Sequence, residues 1–165
     1  MGRSLWIHQK PVSDAIYRLK YHDCRCFARP FAWEMWKRFE WQIFRWEIDV
    51  LIPVPIHDKR RRKRGYNQAE LLAEALSEFS GIPMDPDVVI RVKNTHAQKN
   101  VSGRERAKNL QDAFLPGTST GQYRNALIID DIFTTGSTIS AVTEQLLLQG
   151  IINVYFITIS IGQGF

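Results

Sequence analysis

Cysteine is scarce in this chain of 165 residues: there are two, Cys24 and Cys26, one residue apart. A disulfide framework needs more, and a closed structural zinc site usually takes four ligands in spaced pairs. His22 lies close by, so a metal site completed by another segment stays open as an alternative, but ordinary reduced thiols account for both residues. Long apolar runs are lacking too. None reaches the roughly 18 residues of a membrane span, and Met1 to Trp6 contains no signal-peptide core. No membrane insertion and a cytoplasmic location are therefore expected. Nor is there an internal repeat, a low-complexity tract or a Gly/Ser-rich linker, so residues 1–165 are read as a single domain with one core.

What is present begins with charge. The formal net charge is +5, yet Lys59, Arg60, Arg61, Arg62, Lys63 and Arg64 are six consecutive cations. Without them the chain would be close to neutral. A local basic run points to a local anionic partner, such as phosphate groups or a nucleic-acid strand.

Hydrophobic periodicity orders the rest. Ala32, Trp36, Phe39 and Ile43 mark one face of a helix over 28–43. Residues 49–55 read as a buried strand stopped by prolines, and the basic run after it as a loop. Asn67 and Glu70 have capping-box spacing for a helix buried through Leu72, Leu76 and Phe79 and ended by Gly81 and Pro83. A short strand is expected at 88–92, an exposed loop at 93–101, a short helix from Ser102 and a loop at 116–121. A strand at 126–129, a helix at 138–149 capped by Gly150, and a strand at 154–161 complete the chain. Apolar strands alternating with helices predict an α/β fold: a mainly parallel, twisted sheet flanked by helices.

The chemistry concentrates in ALIIDDIFTTGST, residues 126–138. Ligands of open parallel sheets bind beyond the carboxyl ends of the strands, where Asp130 and Asp131 are expected. Two adjacent carboxylates can accept hydrogen bonds from neighbouring sugar hydroxyls. Thr134, Thr135, Gly136, Ser137 and Thr138 then enter a helix, whose free N–H groups and dipole favour a phosphate. A glycine there lets the backbone approach the anion. The P-loop pattern is absent. A diol reader beside a phosphate cradle describes ribose 5-phosphate.

LIIDDIFTTGST resembles the phosphoribosyl pyrophosphate (PRPP) motif of type I phosphoribosyltransferases. The resemblance implies that Asp130 and Asp131 meet the ribose hydroxyls, that residues 134–138 hold the 5-phosphate, and that Mg²⁺ is carried chiefly by substrate oxygens. PVPIHDKRRRKRGYNQAELLAEAL, RVKNTHAQKNVSGRERAKNLQDAF and YRLKY resemble the ComF family of bacterial competence proteins, which are built on the phosphoribosyltransferase fold. That likeness implies PRPP binding and a role in DNA uptake, with single-stranded DNA and competence DNA-uptake proteins as partners. ComF proteins commonly begin with a cysteine-rich zinc module. This chain starts after the point where that module would end, so zinc is not carried over.

Phosphoribosyl transfer needs cations at the leaving pyrophosphate and a fixed ribose. Arg64 and Gly65 occupy a family position and are expected at the pyrophosphate, with Arg104 and Arg106 reaching it from a lid over 93–106. Asp130, Asp131 and Arg106 are the expected catalytic residues. Residues 1–47 are assigned to an N-terminal hood on the acceptor side. Within it, Trp33, Trp36, Trp41 and Trp46 stand among Lys37, Arg38 and Arg45, a pattern that suits stacking on single-stranded bases, although packing of at least half of these rings onto the sheet is favoured. The expected function is a PRPP-dependent, Mg²⁺-assisted phosphoribosyltransferase. A PRPP- or single-stranded-DNA-binding module without turnover is the alternative, and oligomerisation is left open.

Overall fold

Successive strand residues face opposite sides of a sheet, and here both sides are apolar. Leu51, Leu127, Ile129, Ile157 and Ile159 join one buried cluster, while Val50, Ile52, Ala126 and Ile128 join another. Such strands need covering on both faces, and the computed structural model supplies it. The structure describes residues 1–93, 112–119 and 121–162.

The elements in chain order are β1 (Gly2–Ile7), α1 (Val12–Tyr21), a 3₁₀ turn (Arg25–Phe27), α2 (Ala28–Arg45), β2 (Val50–Pro53), α3 (Asp58–Arg64), α4 (Gln68–Ser80), β3 (Val89–Arg91), β4 (Phe114–Pro116), β5 (Asn125–Phe133), α5 (Ser137–Leu148) and β6 (Asn153–Ile161). Four strands form a parallel sheet in the order β1-β6-β5-β2, and β3 and β4 form a separate antiparallel pair. α1, α2 and α4 cover one face around Ile16, Leu19, Met35 and Leu76; α5, β3 and β4 cover the other around Phe114, Val142 and Leu146. This is the expected α/β architecture.

Several local expectations are corrected. The basic run is a helix: the His57 imidazole accepts the Lys59 N–H at 3.1 Å, and Gly65, at φ 83°, closes α3 with its N–H on the Arg61 carbonyl at 2.7 Å. Asp58 in its first turn and cations in its last complement the helix dipole. Asn67 caps α4 through the Ala69 N–H at 3.1 Å, but Glu70 takes the Asn67 side-chain amide (3.4 Å) and Arg61 (2.8 Å) instead of closing a reciprocal box.

β5 does not stop at Ile129. β6 continues alongside it, pairing Asp130 with Thr158, Ile132 with Ser160 and Phe133 with Ile161, so both aspartates lie within the strand and not past its end. Gly2–Ile7, expected within the hood segment, pairs with β6 as an edge strand of the main sheet. Phe114–Pro116, which the sequence reading left without a strand, pairs with β3. Of the four tryptophans between residues 33 and 46, Trp46 is buried and stacked on Tyr155 at 4.5 Å, Trp36 packs partly against the core, and Trp33 and Trp41 are 48% and 71% exposed. The expected short helix from Ser102, and the lid over 93–106 apart from Lys93, fall outside the described residues.

Candidate functional site

Asp130 and Asp131 are 8% and 4% exposed, although each carboxylate loses hydration there. Their neighbours compensate unequally. Asp130 accepts the Asp131 N–H at 2.8 Å. Burial pushes its carboxyl well above the usual aspartate range, and the charge of Asp131 adds to that. Burial works against ionisation of Asp131 as well, but the Lys20 ammonium and hydrogen bonds from Asp130, Lys20 and Gln68 outweigh it and hold this carboxyl below the usual range. Lys20, from α1, forms an ion pair with Asp131 Oδ2, and Gln68 Nε2, from the first turn of α4, donates to Oδ1 at 3.4 Å. One carboxyl is thus biased towards the acid and its neighbour towards the carboxylate.

The hydroxyl loop follows directly. Thr134, Thr135 and Gly136 make the turn, and α5 begins at Ser137, one residue earlier than expected, with Thr138 in its first turn. Thr135 Oγ1 and Ser137 Oγ lie 2.8 Å apart. Gly136 has φ 75°, and a Cβ on it would come within 3.0 Å of the Phe133 ring. Only glycine holds this turn without strain.

On the α1 side of Asp131 opens a cavity of about 680 Å³ whose lining includes Lys20, Arg25, Lys59, Arg60, Lys63 and Arg64. The Arg64 guanidinium donates to Gln68 Oε1 and lies 5.3 Å from the centre of the Tyr21 ring. Gln68 therefore connects Arg64 to Asp131, and Lys20, which also lines the cavity, pairs with the same carboxylate. Gly65 does not line the cavity; it lets the Arg25 side chain pass close to the end of α3.

Of the residues expected at the site, Arg64 is linked to Asp131 through Gln68, Asp130 adjoins Asp131, and the hydroxyl loop follows them along the chain without lining the cavity. Arg104 and Arg106 lie outside the described residues. Lys20 and Gln68, which contact Asp131, and Arg25, which lines the cavity, were not among the residues expected from the sequence; Lys20 stands inside YRLKY and Gln68 inside YNQAE. Cys24 and Cys26 are free, and the His22 ring packs 5.4 Å from that of Tyr17. No group of three or more His, Cys, Asp or Glu side chains suited to hold a metal occurs among the described residues. The paired aspartates, one already engaged by Lys20, fit an ion that arrives with oxygen ligands of its own.

Several curated bacterial proteins are similar to this chain in sequence. Competence protein F of Haemophilus influenzae is 39% identical over 105 residues, which cover 62% of this chain and 46% of that protein. Competence protein ComFC of Bacillus subtilis is 27% identical over 150 residues, covering 90% of this chain and 59% of that protein. Over these stretches the chain is similar to competence proteins of the ComF type. The DNA utilization protein YhgH of Escherichia coli K12 also matches, at 36% over 102 residues, covering 62% of this chain and 44% of that protein. These matches span between 44% and 59% of the curated relatives' length. No family model matches the chain.

The four-stranded parallel sheet flanked by helices is the α/β arrangement expected from the resemblance to type I phosphoribosyltransferases. A purine phosphoribosyltransferase from Pyrococcus horikoshii overlays with a TM-score of 0.42 at 17% identity, covering 92% of this chain and 73% of that one. An overlay at that level adds nothing to the topology.

Proposed function

We propose that this ComF-like chain binds PRPP with Mg²⁺ and transfers its phosphoribosyl group, in support of DNA uptake. The observation that carries the reading is the continuity of three chemistries within one region. A buried carboxylate pair, a hydroxyl loop at a helix start and a basic cavity match the ribose diol, the 5-phosphate and the pyrophosphate in kind.

Transfer breaks the bond from the anomeric carbon to pyrophosphate, so positive charge grows on the sugar and negative charge on the leaving group. Asp130 and Asp131 would fix the sugar through its hydroxyls, and residues 134–138 would hold its 5-phosphate. Arg64, braced by Gln68, would face the departing charge together with the other cations of the cavity, and Arg104 and Arg106 are assigned to the same group from the lid. Mg²⁺, when bound, neutralises phosphate charge that side chains alone leave uncompensated.

The test is release of inorganic pyrophosphate from PRPP across a panel of nucleobases and amines. Acceptor-dependent release that falls at least a hundredfold in Asp131→Asn supports the reading; release that this change leaves untouched overturns it.

A second reading, a binding module without turnover, is favoured by one observation. Trp33, Lys37 and Trp41 form an exposed stripe on α2, of the kind on which single-stranded bases stack. In that case log affinity for single-stranded DNA falls linearly with log salt, and neutral replacements across 59–64 flatten the slope by several units. A slope unchanged by those replacements would remove α3 from any DNA site.

A further inference from the structure

Lys20 belongs to two surfaces at once. Its ammonium pairs with Asp131, whose side chain is 5% exposed, while the lysine side chain itself remains 20% exposed and lines the basic cavity. Nothing in the packing of α1 calls for that ion pair. The helix is anchored by Ile16 and Leu19, at 1% and 0% exposure, and by the Tyr66 hydroxyl donating to the Leu19 carbonyl. A buried pair of this kind adds little net stability compared with apolar packing. Lys20 is instead the link between the sugar-reading carboxylate and a wall that carries Lys59, Lys63 and Arg64. Among the described residues Lys59 and Lys63 have no ion-pair partner.

Without a ligand, turning Lys20 towards that wall adds one cation to a cluster of cations, and Asp131 is its better partner. A diphosphate in the cavity reverses the preference. We propose that Lys20 is an exchange residue: it holds the Asp131 carboxylate in place in the free protein and moves to the phosphoryl oxygens of a diphosphate group when sugar hydroxyls take over Asp131. The sugar half of this exchange rests on the PRPP reading. The anion half does not, and it can be measured alone.

The probe is inorganic pyrophosphate without metal, titrated calorimetrically into wild type, Asp131→Asn, Lys20→Met, the double variant and Lys20→Arg. Asp131→Asn frees Lys20 and is expected to tighten binding about tenfold, a coupling typical of contacting charges. Lys20→Met is expected to weaken it about tenfold, Lys20→Arg to retain it within about threefold, and the gain from Asp131→Asn to vanish once Lys20 is Met.

A gain that persists in the double variant would overturn the proposal, because loss of one negative charge would then suffice. So would the absence of any gain in a folded Asp131→Asn protein, or of any pyrophosphate binding by wild type. If Asp131→Asn fails to fold, the Lys20 pair decides: equal losses with Met and Arg contradict the exchange, and rescue by Arg supports it. Failure of Mg²⁺-dependent PRPP binding in wild type would remove the proposed function while leaving the pyrophosphate result to stand or fall separately.

Discussion

α3 and α4 follow one another in the chain and do opposite work. α4 buries Gln68, Ala69, Leu72, Ala73, Ala75 and Leu76, whereas α3 buries no residue and consists of Asp58 and six cations. A short helix of like charges gains nothing from packing and carries self-repulsion. Its caps, His57 and Gly65, hold it next to the cavity. The contrast teaches that core packing and concentrated charge are divided between neighbouring elements, with Gln68 hydrogen-bonded to both Arg64 and Asp131.

The largest effect should come from α4. Leu76→Ala removes a fully buried side chain, and about 2–5 kcal/mol of unfolding free energy should be lost in urea denaturation. An α3 variant that cost as much would break the comparison. Gly136→Ala comes next, at about 1–2 kcal/mol, because the residue sits at φ 75° and its new Cβ would press on Phe133. An unchanged midpoint would show that the turn relaxes freely.

Asp130→Asn sharpens the comparison with a change of opposite sign. Burial, reinforced by the charge of Asp131, raises the Asp130 carboxyl, so the folded chain keeps a proton at pH values where the unfolded chain has released it. That share of stability falls as pH rises from the usual aspartate range through the raised folded value. Asp131 lies on the other side: its lowered carboxyl contributes stability above the usual range that is lost on acidification. Asp130→Asn should therefore raise stability at neutral pH and flatten the fall across a pH series. A fall of undiminished steepness would place its origin elsewhere. The smallest effect belongs to Lys63→Gln, within about 0.5 kcal/mol of wild type, because its side chain lines a cavity and supports no core.

Much of the fold was legible because buried faces repeat. Phe39 and Ile43, Leu72 and Leu76, and Val142 and Leu146 announce their helices through spacing alone. α3 was not legible that way, since a helix without an apolar face leaves no period to read; His57 before it and Gly65 after it were the available signals. β5 was cut short because Asp130 and Asp131 break its apolar run, although the backbone partners that extend it belong to β6. In the site, the two aspartates and the hydroxyl loop are contiguous and were readable as one string. Lys20 was not, because a lone lysine on an amphipathic helix resembles a solvated one until Asp131 is folded against it.

The most direct test of the central claim is a calorimetric titration of the chain with PRPP, with and without Mg²⁺, beside Asp131→Asn. Binding should depend on the metal and weaken at least tenfold in the variant. Equal affinity in wild type and variant, or no binding by a chain shown to be folded, would contradict it.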